Sequence, residues 1–267
     1  PQGGRRLQRR TTAAAVMILL LLPVTIIIGA VYLDNRRYTF IALLVLLEAM
    51  LPFVLVFEGR KPRTRELVLI AVLCAIAVAG RAAFFALPNF KPVMALVIIS
   101  GIAFGGETGF LVGAVTMLVS NMMFGQGPWT PFQMFALGII GFLAGVLFKK
   151  GLLRRTRLSM CVFGALSAIV IYGGIMNPAT ALIWARGHDW QLLLTCYITG
   201  FPVDLIHAVA TFLVPYSAAD PTPAKLDRLQ VKYGLVASLA GAYDQSRSVA
   251  ALSVKEDVFP FAPTNSR

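Results

Sequence analysis

Eight apolar runs, each near bilayer-spanning length and each ended by charges or by Gly and Pro, leave this 267-residue chain few folds to choose from. A helix needs about 20 apolar residues to cross the hydrocarbon core, and lipid offers no partner to an unpaired backbone amide, so such runs fold as helices. The runs lie at 13–33, 38–57, 66–87, 92–105, 108–123, 132–148, 159–183 and 192–214. The fourth and fifth are short, so they either tilt or cross only partly. Charged residues make up 13% of the chain, against about a quarter in a soluble domain. The expected fold is an all-α membrane protein of about eight transmembrane helices.

A formal charge of +12 would point to nucleic acid in a soluble chain. Here sixteen of the 24 Lys and Arg fall in four clusters, at 5–10, 60–65, 149–157 and 225–232, on alternate connections. The opposite connections hold Arg36, Arg37, Lys91 and Arg186. Topology explains that pattern: the cation-rich side is cytoplasmic, both termini lie there, and no nucleic-acid partner is expected. Basic residues before the first run resemble a signal peptide, but the run is long and lacks an A-x-A site, so it reads as a retained transmembrane helix. Cys74, Cys161 and Cys196 lie inside apolar runs without CxxC spacing or neighbouring histidines. Neither a disulfide, a metal site nor a cofactor is expected.

Within this frame the stretch from Phe90 to Gly145 carries two unusual features. Gly101, Gly105, Gly109 and Gly113 form a ladder at spacing four, which lets helix backbones approach closely; if Gly105-Gly106 breaks the helix, the ladder is shared between neighbours. A polar loop bounded by proline, Gly125 to Pro131, separates two apolar runs and falls on the outward side. The other outward connections, Asn89 to Pro92 and Arg186 to Trp190, also carry aromatic and hydrogen-bonding side chains. That asymmetry suits an outward site for a small solute. The competing reading is that Trp129, Trp184 and Trp190 form an interfacial aromatic belt.

An ionisable side chain in mid-membrane costs at least about 2.5–3.5 kcal/mol, so each needs a partner or a purpose. Glu48 has no obvious partner, Glu107 sits where a cap or surface role is expected, and Arg81 either snorkels outward or points into a pocket. Asp204 and His207 share a helix face at spacing three. An intramembrane enzyme would need them to meet Glu107 in one cavity; otherwise they serve as polar glue between helices. No H-E-x-x-H, G-x-S-x-G or G-x-x-x-x-G-K pattern is present, and the chain is not expected to be an enzyme.

Several ordered motifs carry a resemblance: A-G-R-A-A-F-F-A-L-P-N-F-K-P at 79–92, G-I-A-F-G-G-E-T-G-F-L-V-G-A at 101–114 and S-N-M-M-F-G-Q-G-P-W-T-P-F-Q-M at 120–134, with weaker support at 202–211 and 225–234. Residues 66–234 resemble the substrate-binding S component of an energy-coupling factor (ECF) vitamin transporter. The resemblance implies a six-helix unit at 66–216, preceded by a two-helix membrane extension at 1–65 and followed by a cytoplasmic segment at 217–267. It also implies a multi-pass protein of the bacterial cell membrane that captures a vitamin from outside. Its partners would be a transmembrane coupling subunit, two ATPases and membrane lipid, since the chain has no P-loop of its own.

By motif position the pocket rim is expected at Asn89, Lys91, Asn121, Gln126, Trp129, Gln133 and His188, with Ala71, Ala75 and Ala79 as the docking stripe. The loop pattern G-Q-G-P-W-T-P-F-Q looks most like a cobalamin-type branch. The rival transport reading is an autonomous secondary transporter, which would show two similar halves with broken helices; no convincing repeat is visible. A short helix after Lys225 and a mobile tail after Leu235 complete the expectations.

Overall fold

A computed structural model describes residues 12–13, 15–32, 40–41, 43–45, 47–48, 51, 64–87, 90, 92–153, 156–184 and 190–217. These belong to one compact unit spanning Pro1–Pro223; Ala224–Arg267 form a second, so the expected helix and tail there lie outside the described residues. Helix α1 is Leu22–Tyr32, entered through a π-helical turn at Met17–Leu21, and α2 comprises the helical residues within 40–51. Then follow α3 (Thr64–Ala83), α4 (Val93–Phe104), α5 (Gly106–Phe124), α6 (Thr130–Lys149), α7 (Arg157–Trp184) and α8 (Trp190–Ser217). All regular structure among the described residues is helical, as lipid demands.

Helices α5 to α8 are long and apolar enough to cross a membrane. The expectation of two short helices holds for α4 alone. Its 12 residues rise roughly 18 Å against a core of about 30 Å, whereas α5 begins two residues earlier than expected and reaches 19.

Gly105 explains both lengths. It is the single residue between α4 and α5, held at φ 101°, a conformation that L side chains rarely adopt. The chain folds back there, and Gly101 and Gly109, equidistant from the turn, meet across the hairpin; a Cβ on Gly109 would stand 2.6 Å from the Gly101 Cα. Both also press on Gly141 of α6, and Gly145 lies against Gly101 and Gly106. Gly113 continues the contact against Leu137 and Gly138. Glu107, in the first turn of α5, is buried rather than at the surface; its position suits the positive end of the helix dipole.

Around this glycine-lined trio the other helices bury one face each. Helix α3 turns Ile70, Ala77 and Arg81 inward against α5, with the Cys74 thiol 4.0 Å from the Val112 carbonyl oxygen. Helix α7 starts at Thr156, whose hydroxyl caps it by accepting from the Ser159 amide at 3.3 Å. Helix α8 exposes Leu194, Ile198, Phe201, Leu205, Val209 and Leu213, a continuous stripe at helical spacing. Such a face is tolerable only against lipid or another apolar surface. Helix α1 buries Ile18, Leu22 and Ile26 and packs against α6, and Thr25 supplies the partner missing for Glu48, donating to its Oε1 at 2.8 Å.

Candidate functional site

The helices alternate in direction, so the last turns of α3 and α5, the first turns of α4 and α6, the second half of α7 and the first half of α8 gather at one end of the bundle. A cavity of about 330 Å³ opens among them. Its wall along α8 runs from Cys196 to His207, roughly 16 Å deep at 1.5 Å per residue. Methionines 94, 117 and 176 give it soft, adaptable sides. The polar groups are few and convergent: Arg81, Gln133, Tyr172, Asn177, Asp204 and His207.

Arg81 enters from α3 and crosses to α5. Its Nη1 donates to Ser120 Oγ and Asn121 Oδ1, both at 2.6 Å, and lies 3.8 Å from the Met117 sulfur. The guanidinium carbon stands 5.8 Å from the Phe124 ring centroid, a cation–π geometry. The arrangement then passes from helix to helix. Asn121 Nδ2 donates to Thr130 Oγ1 at 3.0 Å and to Gln133 Oε1 at 2.8 Å; Gln133 Nε2 reaches the Tyr172 hydroxyl at 3.4 Å. The Tyr172 and His207 rings lie 5.4 Å apart. One polar belt thus joins α3, α5, α6, α7 and α8 around the cavity. Asn121 makes three of its possible bonds inside this belt, which leaves it no freedom of rotamer and fixes Gln133 against the wall.

The opposite wall depends on two further glycines. Helix α7 widens into a π-helical stretch, Ser167–Gly173, whose extra residue per turn brings Tyr172, Met176, Asn177 and Thr180 to the cavity together. Gly173 leaves room for the Asp204 carboxyl group of α8, and Gly200 of α8 leaves room for the Asn177 amide of α7. The exchanged side chains are bonded to each other, Asn177 Nδ2 donating to Asp204 Oδ2 at 2.9 Å. Each helix therefore lends the other a niche for a polar group that would be costly in an apolar interior.

Among the residues expected at the rim, Gln133 lines the cavity and Asn121 stands directly behind it, holding both Arg81 and Gln133. Gln126 and Trp129 lie in the connection between α5 and α6, outside the cavity wall; the Trp129 ring covers Gly127, and the Gln126 side-chain oxygen is buried without a partner. Asn89, Lys91 and His188 fall outside the described residues. Arg81 takes the inward of its two expected positions. Asp204 and His207 both reach the cavity and Glu107 does not, so the trio an intramembrane enzyme would require is not assembled. Tyr172, Met176 and Asn177 escape a search for ionisable groups. The available signal was a tyrosine, two glycines and an Asn-Pro pair interrupting an otherwise apolar span.

Comparison with known proteins decides the family. A family model described as the S component of an ECF-type riboflavin transporter matches residues 61–218, more than half of the chain. The chain belongs to this family. A UPF0397 protein of Vibrio atlanticus (strain LGP32) is similar to this S component, with 28% identity over 120 residues. That match covers 42% of the chain and 65% of the relative, less than two thirds of its length. No solved structure matches. The family match starts just before α3 and ends at the last described turn of α8, so every cavity-lining residue of this S component lies inside it. As a transporter component, it belongs to a class without enzymatic chemistry of its own.

Proposed function

We propose that this chain is the solute-capturing subunit of an ECF-type importer and that it takes a compact, planar heteroaromatic vitamin into the cavity between α3 and α8. The cavity carries the reading. Its volume of about 330 Å³ lies at the lower end of the roughly 300–1,000 Å³ of small-molecule sites, and it combines apolar walls with a few directed polar groups. That size favours a few fused rings, on the scale of the riboflavin named in the family's description, over a cobalamin-type corrinoid. Tyr172 and His207 supply ring faces, and Asn177 and Asp204 supply a paired donor and acceptor at the far wall.

The cation pattern supports an outward-facing mouth, because the cavity lies at the end away from the basic connection between α6 and α7. Both termini are then cytoplasmic, and the membrane is the bacterial cell membrane. For energy we propose a coupling subunit with two ATPases. Ala71, Ala75 and Ala79 are all exposed on α3, together with Val68, Val72 and Ile76, on the face turned away from α5. Small residues at spacing four allow another helix to approach closely. The domain division follows: residues 66–216 form the capture unit, 1–65 a membrane extension and 217–267 a cytoplasmic segment.

Reconstitution tests the reading. Proteoliposomes holding the full chain alone are expected to bind but not accumulate labelled vitamins from a panel of riboflavin, thiamine, biotin, nicotinate and pantothenate. Accumulation is expected only when the coupling subunit, both ATPases and ATP are supplied. Uptake by the chain alone would support an autonomous secondary transporter instead.

A further inference from the structure

Arg81 is the one cavity residue whose bonding leaves a defined vacancy. The side chain is 9% exposed, yet all three of its contacts leave from Nη1, to Ser120, Asn121 and Met117. Among the described residues, Nε and Nη2 donate to no protein acceptor, and neither is sealed from the cavity. Those two nitrogens form the edge of a guanidinium that grips two oxygens at once, in the parallel geometry of an arginine–carboxylate pair. The charge is equally open. Its two hydrogen-bond acceptors are a neutral hydroxyl and a neutral amide, and the carboxylate of the cavity, Asp204, is bonded to Asn177 on the α7–α8 side. A buried cation without a carboxylate is unfavourable in a membrane interior, while Asn121 and Phe124 hold this one in place rather than letting it snorkel outward.

We infer that the captured vitamin carries an acidic group, a carboxylate or its equivalent, which the Nε–Nη2 edge of Arg81 receives as the missing counter-charge. The inference rests on the cavity being the solute site. It makes Arg81 the residue that selects among vitamins of similar size, admitting acids and discriminating against neutral rings, riboflavin included. Lysine would serve less well: a point charge neutralises an anion but cannot match two oxygens in one plane.

The full chain can be purified as wild type and as Arg81→Gln, Arg81→Lys and Gly200→Leu, and the small molecules released on denaturation identified by mass spectrometry. Gly200→Leu fills the niche of Asn177 and obstructs the cavity, so it marks which molecules depend on the site. The expected result is an acidic heteroaromatic compound, depleted at least tenfold in Gly200→Leu and in Arg81→Gln and retained in part by Arg81→Lys. Titrated into wild type, that acid should bind at least tenfold tighter than its own primary amide, and the difference should shrink below threefold in Arg81→Gln. A cavity-dependent molecule without an acidic group overturns the inference and leaves the site intact, and this outcome needs no Arg81 variant to fold. Equal binding of acid and amide to wild type does the same. A phospholipid as the cavity-dependent molecule overturns it as well. If nothing differs between wild type and Gly200→Leu, the cavity is not the solute site and both readings fall.

Discussion

Replacing Gly109 by alanine tests whether the contact of α4, α5 and α6 organises the molecule. The added Cβ would stand 2.6 Å from the Gly101 Cα and 2.7 Å from the Gly141 carbonyl carbon, so backbone on two other helices obstructs it at once. Restoring ordinary contact means parting these helices by roughly 1 Å, a gap that forfeits about a quarter to a half of each dispersion well across the interface. No rotamer can relieve the strain, because the obstacles are not side chains. The expected cost is about 3 kcal/mol, the upper end of the usual range for overpacking, or over a hundredfold in the equilibrium between packed and parted helices. Helix propensity does not offset it, since transmembrane helices stay helical in the parted state and alanine's usual advantage is largely cancelled. Gly80→Ala is the control: its nearest neighbours would be Pro92 at 3.9 Å and Leu96 at 4.0 Å, ordinary contact distances, and its effect should lie within about 0.5 kcal/mol of zero. Unfolding of the purified chain by sodium dodecyl sulfate in mixed micelles, followed by tryptophan fluorescence, measures both. If Gly109→Ala falls within about 0.5 kcal/mol of Gly80→Ala, the three-helix contact does not hold the bundle as argued.

Three further outcomes follow from single contacts. Asn121→Leu removes the amide that accepts from Arg81 and donates to Gln133, stranding a buried charge; a loss of about 3 kcal/mol is expected in the same unfolding assay. Asp204→Asn keeps a hydrogen-bonding group in the Gly173 niche but removes the charge, so affinity for the released vitamin should fall about tenfold by calorimetric titration, with stability nearly unchanged. Ala75→Trp places a large side chain in the exposed stripe of α3. Uptake by the complete reconstituted complex should drop at least tenfold while vitamin binding to the chain stays within about threefold, and equal loss of both would refute the docking assignment.

Much of the fold was legible because the bilayer enforces it. The eight expected spans correspond in order to α1 through α8, since an apolar run of that length has one way to satisfy its backbone in lipid. The site was less legible. The rim was sought in the outward connections, where aromatic and amide residues are conspicuous, but the cavity is built mainly from residues within the helices. Gln133 was found because it lies one turn inside α6. Tyr172 and Asn177 were not, because an uncharged polar group in an apolar span gives a weak signal unless its partner on another helix is known.

The sequence by itself therefore determined the class of protein, the order of its helices and the side on which its cations fall, all of which follow from local composition and the cost of burying charge or bare backbone. Its glycines at spacing four announced close packing without saying against what. Only the tertiary structure decided that Gly105 is the hairpin turn, that Gly101, Gly109 and Gly141 meet, and that Gly173 and Gly200 shelter Asp204 and Asn177. It also decided Arg81. A guanidinium near a helix end can snorkel or turn inward at similar cost, and the choice falls to residues about forty positions away, Ser120 and Asn121, which close the belt around the cavity.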